Sequence, residues 1–417
     1  MSVMTSLTRM WLTRSPKPFV FTDGYDQQIP YGSCPDLGLY VHIPFCERIC
    51  GFCPYCKTVY SKDACDRYID TLIQEIHLVG NQVNEKKDVT SLYFGGGTPA
   101  LAADRIAEIV QAAEEHFNIT DGIGVELHPD NVTPPLLQTL KDAGVTRISI
   151  GIQSFQEKFQ AVLGRAPVDR AALAAALDAV PFETVSMDFI FALPGQTFDD
   201  LRSDIDAAFS CGADHIAVYP FIDFTFTSSQ VPAMPKDEKR KLLDAITQYC
   251  LDKGYFRDSI WTFSSSEHAK YSSMTRNDFL GFGCSATTLL RDQFKINTFS
   301  LEGYRRRIEQ GLLPTSLTLR FSLRQRMVYY LFWTAYSTQV SADGFERFFG
   351  VPLKKAYGLE LAIAKLLGLV TEADGIYHMT LKGAFYFHYY ENFYTLAYID
   401  KMWGIMRQEA FPKRITF

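Results

Sequence analysis

Between residues 37 and 221 the chain alternates between two hydrophobic periods. Short apolar runs rich in branched residues read as buried strands, and the stretches between them carry one apolar face, as amphipathic helices do. The runs are LYVHIPF (39–45), SLYF (91–94), GVELHP (124–129), RISIGIQS (147–154), VSMDFIFALPG from Val185, and HIAVYPF (215–221). Helical spacing falls between them over 63–83, 104–117, 134–143, 170–179 and 198–210, the first through Tyr68, Leu72, Ile73, Ile76 and Val79. Strand–helix alternation predicts an α/β fold with a parallel sheet. Right-handed crossovers would curl the sheet into an open barrel with function at the carboxyl ends of its strands, and a doubly wound sheet is the competing arrangement.

The flanks read differently. In residues 1–36, Pro16, Pro18, Pro30 and Pro35 break any long element, which predicts an arm lying over the domain. Residues 223–316 are less regular, with a helix over 237–249 and a GFG turn at Gly281–Gly283 that would complete the barrel begun at 37–222. From 317 to 417 the pattern is helical and aromatic, with helices over 322–336, 341–349 and 352–367, a hairpin turning at Asp374-Gly375, and a last helix near 386–408. Four units are expected, bounded at 36, 222 and 316.

Composition narrows the function. A chain of 417 residues that is 47% apolar can bury a large core, and a net charge of −6 argues against nucleic acid as the main partner. Nine unevenly spaced cysteines do not form a secreted disulfide framework, so a reducing cytoplasm is expected. Neither a signal peptide nor a membrane span is predicted. Aromatics, at 14%, crowd the last third and suggest a thick core.

The chemistry lies in YVHIPFCERICGFCPYC. Cys46, Cys50 and Cys53 stand at C-x3-C-x2-C directly after the first strand, with Cys56 three residues on. Zinc would want four ligands, usually as two separated pairs, and no second pair follows. Iron–sulfur clusters accept short irregular spacings, and three thiolates would leave one iron of a four-iron cluster open. A zinc knuckle and a surface disulfide are the plainer alternatives. This motif resembles that of radical S-adenosylmethionine (SAM) enzymes. The wording YVHIPFC resembles the branch holding oxygen-independent coproporphyrinogen III oxidases, haem chaperones and related methyltransferases.

The resemblance implies a partial (β/α)6 radical SAM barrel with a winged-helix-like C-terminal domain, and a [4Fe-4S] cluster on the three cysteines. It implies that Gly95, Gly96, Gly97 and Thr98 cradle the amino-acid end of SAM, and that Glu126, Gln153, Arg165 and Asp188 contact SAM. A second SAM position would be lined by Ile190, Gly281, Phe282 and Gly283. Tyr40 would stand near cluster and substrate, Cys56 near the substrate without ligating, and His42 behind them. The reaction implied is reductive cleavage of SAM to a 5′-deoxyadenosyl radical, fed by a reducing partner such as flavodoxin or ferredoxin. The substrate would be a small molecule, a tetrapyrrole. Oxidation of coproporphyrinogen propionates comes first, with a methyltransferase or a non-catalytic haem chaperone as alternatives. Two features depart from the family. Cys56 is not spaced as the C-x-C some members carry, and the HNxxYW stretch of the chaperones reads YSSMTRNDFLGFG here, with His268 nearby.

Overall fold

The computed structural model describes residues 3–229, 231–267 and 277–417. The predicted strands form β1 Leu37–Ile43, β2 Leu92–Gly96, β3 Ile123–Leu127, β4 Arg147–Gln153, β5 Thr184–Phe191 and β6 His215–Pro220. They are parallel and neighbour one another in chain order. A doubly wound sheet would reverse its strand order at a switch point. None occurs across these strands, which leaves the partial barrel. Its helices are α1 Lys62–Gly80, α2 Ala103–Glu114, α3 Pro134–Asp142, α4 Arg170–Ala179 and α5 Phe198–Ser210, followed by α6 Lys236–Asp252.

Leu37, Leu39, Val41 and Ile43 of β1 share the face packed on Ile69, Leu72 and Ile76 of α1, and all are fully buried. Each such side chain contributes about 1.5–3 kcal/mol on burial. A one-residue slip would move the whole set to the wrong face, so the register of β1 is strongly fixed. The same alternation turns Tyr40 and His42 to the inner face. Local signals agree: Ser61 caps α1, and Thr197 with Asp200 forms a capping box on α5.

The sheet continues beyond the barrel on both edges. The GFG segment is β7 Asp278–Phe282, parallel to β1. It is followed by antiparallel β8 Thr287–Leu289, β9 Gln293–Asn297 and β10 Thr315–Arg320. Val20–Thr22 then lies between β10 and Arg414–Thr416. On the β6 edge, Thr262–Ser264 and Phe256–Ser259 add an antiparallel pair. The N-terminal arm carries short elements of its own. It holds a helix, Val3–Thr13, which ends before Pro16, and no element crosses Pro16, Pro18, Pro30 or Pro35. It also holds Val20–Thr22, whose Phe21 is buried among Phe294, Leu317, Met402 and Ile415. The expected boundary at 316 falls inside β10.

Past β10, α7 Leu323–Tyr336 leads to a strand Gln339–Ser341, α8 Ala342–Phe349, α9 Leu353–Leu366, and a hairpin of Val370–Ala373 with Ile376–Met379. The small sheet places Ile376–Met379 between the other two strands, which is winged-helix order. Asp374 and Gly375 turn the hairpin with φ 49° and 76°, as the dipeptide predicts. The last helix, α10 Leu381–Gln408, starts earlier than expected. No helix among the described residues is long and apolar enough to cross a membrane.

Candidate functional site

Just past β1 the backbone is pinched. Phe45–Cys46 pairs with Thr58–Val59, Thr58 N donates to Pro44 O at 2.7 Å, and Tyr60 N donates to Cys46 O at 2.9 Å. Everything between is one closed loop carrying Cys46, Cys50 and Cys53, all partly buried free thiols. Burial pushes Cys46 up to about 11 and raises Cys50, and the sulfurs are close enough for charge on one to disfavour charge on another. Thr98 Oγ1 lies 3.9 Å from Cys46 Sγ. From the far end of the chain, Arg407 of α10 donates to Tyr55 O at 2.9 Å, and Lys57 donates to Cys53 O. A cavity of about 410 Å³ opens beside Cys50 and Cys53 against Phe226, Ser228 and Arg407. Cys56 turns elsewhere, its Sγ 4.0 Å from Cys284 Sγ and 3.6 Å from Phe299 O.

The partly buried positions of the barrel strands, among them Tyr40, Gly96, Glu126, Gly151, Gln153, Asp188 and Tyr219, mark its inner face. Glu126 accepts from Gly96 N at 3.1 Å and from the Tyr93 hydroxyl at 3.2 Å. A Cβ on Gly95 would stand 3.0 Å from both the Tyr40 hydroxyl and Glu126 Oε1, so these three converge. A Cβ on Gly97 would lie 2.5 Å from Phe45 O, and Thr98 N donates to that carbonyl at 2.7 Å. Only glycine lets this turn close against the root of the cysteine loop. Asp188 accepts from Ser149 Oγ at 3.0 Å. Burial lifts its carboxyl to about 7, with the Glu126 charge adding to the rise, and burial raises Glu126 as well. Asp188 Oδ1 and Arg165 Nη2 are buried without a hydrogen-bond partner among the described residues. Burial lowers Arg165, and the Cys50 sulfur is the foremost group opposing that shift, which sets the guanidinium beside the loop. Gln153, at the end of β4, holds φ 71°, a left-handed conformation uncommon outside glycine.

His42 was the least specified residue in the sequence, and its surroundings settle its state. Its Nε2 faces the Cys56 carbonyl at 3.0 Å, and a carbonyl can only accept. Nε2 therefore carries the proton, and Nδ1 accepts from the Tyr40 hydroxyl at 3.1 Å. Burial lowers the imidazole to about 4, so this neutral tautomer persists across physiological pH. One neutral ring thus ties Tyr40 to the exit of the cysteine loop.

The remaining candidates sit on β5 and at the GFG segment. Ile190 of β5 is packed with Phe159, Leu163, Leu193 and Phe221. Four strands of the sheet separate it from β7. Gly281, Phe282 and Gly283 sit in a buried network, with Gly283 N donating to Glu75 Oε2 at 2.6 Å and Phe282 packed near Phe117. His268 and residues 271–276 of the YSSMTRNDFLGFG stretch lie outside the described residues.

Three soft donors carried on one closed loop, a glycine turn that side chains would fill, and two partnerless buried polar atoms fit a thiolate-bound cluster with a charged, hydroxyl-rich cofactor. Residues 40–208 match the Radical SAM superfamily, and this part of the chain is a radical SAM domain. Among individual proteins, the chain is 24% identical over 362 residues to heme chaperone HemW of Bacillus subtilis (strain 168), covering 82% of this chain and 95% of that protein. To the oxygen-independent coproporphyrinogen III oxidase of Synechocystis sp. it is 26% identical over 315 residues, covering 69% and 67%. The structure of coproporphyrinogen III oxidase (HemN) from Escherichia coli matches with a TM-score of 0.74 at 22% identity, over 89% of this chain and 93% of that one, which shows the fold. The resemblance read from YVHIPFC thus stands.

Proposed function

We propose that this chain is a radical SAM enzyme of tetrapyrrole metabolism, with Cys46, Cys50 and Cys53 holding a [4Fe-4S] cluster, and that it oxidises propionate side chains of a porphyrinogen. The observation that carries the reading is one closed loop bearing three thiols, with the Gly95–Thr98 turn packed on its root and buried partnerless atoms on Arg165 and Asp188. Cluster and SAM together would supply a carbon-centred radical that removes a hydrogen atom from the substrate, and loss of carbon dioxide with transfer of one electron to a one-electron acceptor would leave a vinyl group. The chain's own residues bind and orient. Arg165 suits the carboxylate end of the cofactor. Glu126 and Asp188 offer acceptors for its hydroxyl groups, and Gly95–Gly97 let the backbone approach it. Tyr40, fixed through His42, presents its hydroxyl beside Glu126. A reducing protein such as flavodoxin or ferredoxin would deliver the electron.

The tetrapyrrole substrate rests on the likeness to the coproporphyrinogen III oxidases. A second reading, haem carriage without turnover, is favoured by the breadth of the likeness to heme chaperone HemW, 95% of that protein. One experiment separates them. Anaerobically reconstituted protein is incubated with SAM, reductant and coproporphyrinogen III and followed by mass spectrometry. Decarboxylated porphyrinogen appearing with 5′-deoxyadenosine is the expected result. Neither product there, with stoichiometric binding of haem by a parallel sample given haem in place of the porphyrinogen, would transfer the reading to carriage, and deoxyadenosine over an intact porphyrinogen would point to another substrate, with methyl transfer next to be tested.

A further inference from the structure

At the other end of the barrel from the cysteine loop, α1 and α2 end side by side. His77 lies in the last turn of α1, and Glu115 and His116 follow directly on α2. His77 Nδ1 is 3.0 Å from His116 Nε2 and 3.7 Å from Glu115 Oε2, and one ligand atom from each of the three residues falls within 4.8 Å of the others. Ligands on a tetrahedral ion at bond lengths of about 2.0–2.1 Å stand about 3.3–3.4 Å apart, which is the scale of this triangle.

The backbone holds the triangle ready. Lys87 N donates to His116 O at 3.0 Å, Asn81 N donates to His77 O at 3.0 Å, and Lys87–Val89 pairs with Phe117–Ile119 immediately beyond. The His116 ring lies over Gly80, where a Cβ would stand 2.2 Å from it. Both helices also point their carboxyl ends here, and the partial negative charge of those ends favours a cation.

We propose that His77, Glu115 and His116 form a site for a divalent late transition ion, zinc first, which ties α1 to α2 and keeps a fourth position for water. Two imidazoles and one carboxylate are the donors such an ion takes, whereas magnesium and calcium prefer all-oxygen sets. Gly80 is a positioning residue, giving the His116 ring its place.

The test uses the full chain with Cys46, Cys50 and Cys53 changed to Ser, so that the cluster thiols do not compete, and titrates it with Co2+ alone. One ion per chain, with visible d–d bands and no thiolate charge-transfer band, is expected. His77→Ala and His116→Ala should each weaken binding roughly tenfold or more, and Gly80→Ala should do the same by displacing the ring. Glu115→Gln, at an exposed position, should weaken binding without disturbing the fold. In the protein with its native cysteines and its cluster in place, Zn2+ should raise the unfolding temperature, and His77→Ala should abolish that rise. Binding that survives the His77→Ala/His116→Ala pair, a thiolate band, or an unfolding temperature indifferent to Zn2+ would each overturn the site.

Discussion

At Glu75 burial and hydrogen bonding act in opposite directions. Its carboxylate accepts from Gly283 N at 2.6 Å, the Tyr304 hydroxyl at 2.7 Å and Asn297 Nδ2 at 3.1 Å. Burial outweighs these three donors and lifts the carboxyl to about 7. The folded state therefore holds this proton more tightly than the unfolded chain does. The stability this provides is fully present below the unfolded value near 4.5 and is lost as pH rises toward about 7. Across that window the loss is of order 3 kcal/mol. Glu75→Gln should flatten the pH dependence of urea midpoints between pH 5 and 7, and an unchanged slope would place the titration elsewhere. The cysteines give a second residue-scale expectation. Changing Cys46, Cys50 and Cys53 together to Ala should abolish the brown chromophore and SAM cleavage. Cys56→Ala should keep both, because its sulfur faces Cys284; a colourless Cys56→Ala protein would make it a ligand. Asp188→Ala should weaken SAM binding by about tenfold or more in equilibrium dialysis, since it removes a buried acceptor.

Among the elements, β7 and β8 meet so closely that a Cβ on Gly281 would lie 2.1 Å from Thr287 O. Backbone cannot yield as a flexible side chain does, so Gly281→Ala should destabilise the chain by about 1–3 kcal/mol or more, read as a fall in the denaturation midpoint. This is also the scale at which sequence and structure part company. The barrel strands and helices were legible because each carries its own period over a full element: Leu37, Leu39, Val41 and Ile43 announce β1 without help from any partner. Val20–Thr22 and Arg414–Thr416 carry too few residues for a period to show, and their pairing partners lie far along the chain. The three thiols and the glycine turn could be read because local spacing encodes them. The tautomer of His42 could not, since it depends on a carbonyl reached only after the loop folds back.

For the whole molecule, the cysteine loop is held from the last helix. Arg407 reaches Pro54 O and Tyr55 O across more than 350 residues of sequence, and its guanidinium stacks on Phe226 at 4.9 Å. Charged hydrogen bonds of this kind contribute about 1.5–3 kcal/mol. Arg407→Ala should therefore leave secondary structure intact by circular dichroism and release iron roughly tenfold faster under anaerobic chelator challenge; equal release rates would mean the loop stands without it.

The placement of β7 against β1 bears on the order of events during synthesis. As the chain leaves the ribosome, β1 gains β2 early, but its other edge stays bare until residues 278–282 emerge. Throughout that interval Cys56 lacks the sulfur it will face, 228 residues downstream. A nascent chain carries an open strand edge and an unsupported thiol loop together, the combination most exposed to mispairing. Slow elongation between these two points lengthens that exposure, so the yield of active protein should depend on translation speed across α1 to α6 more than on either side of it.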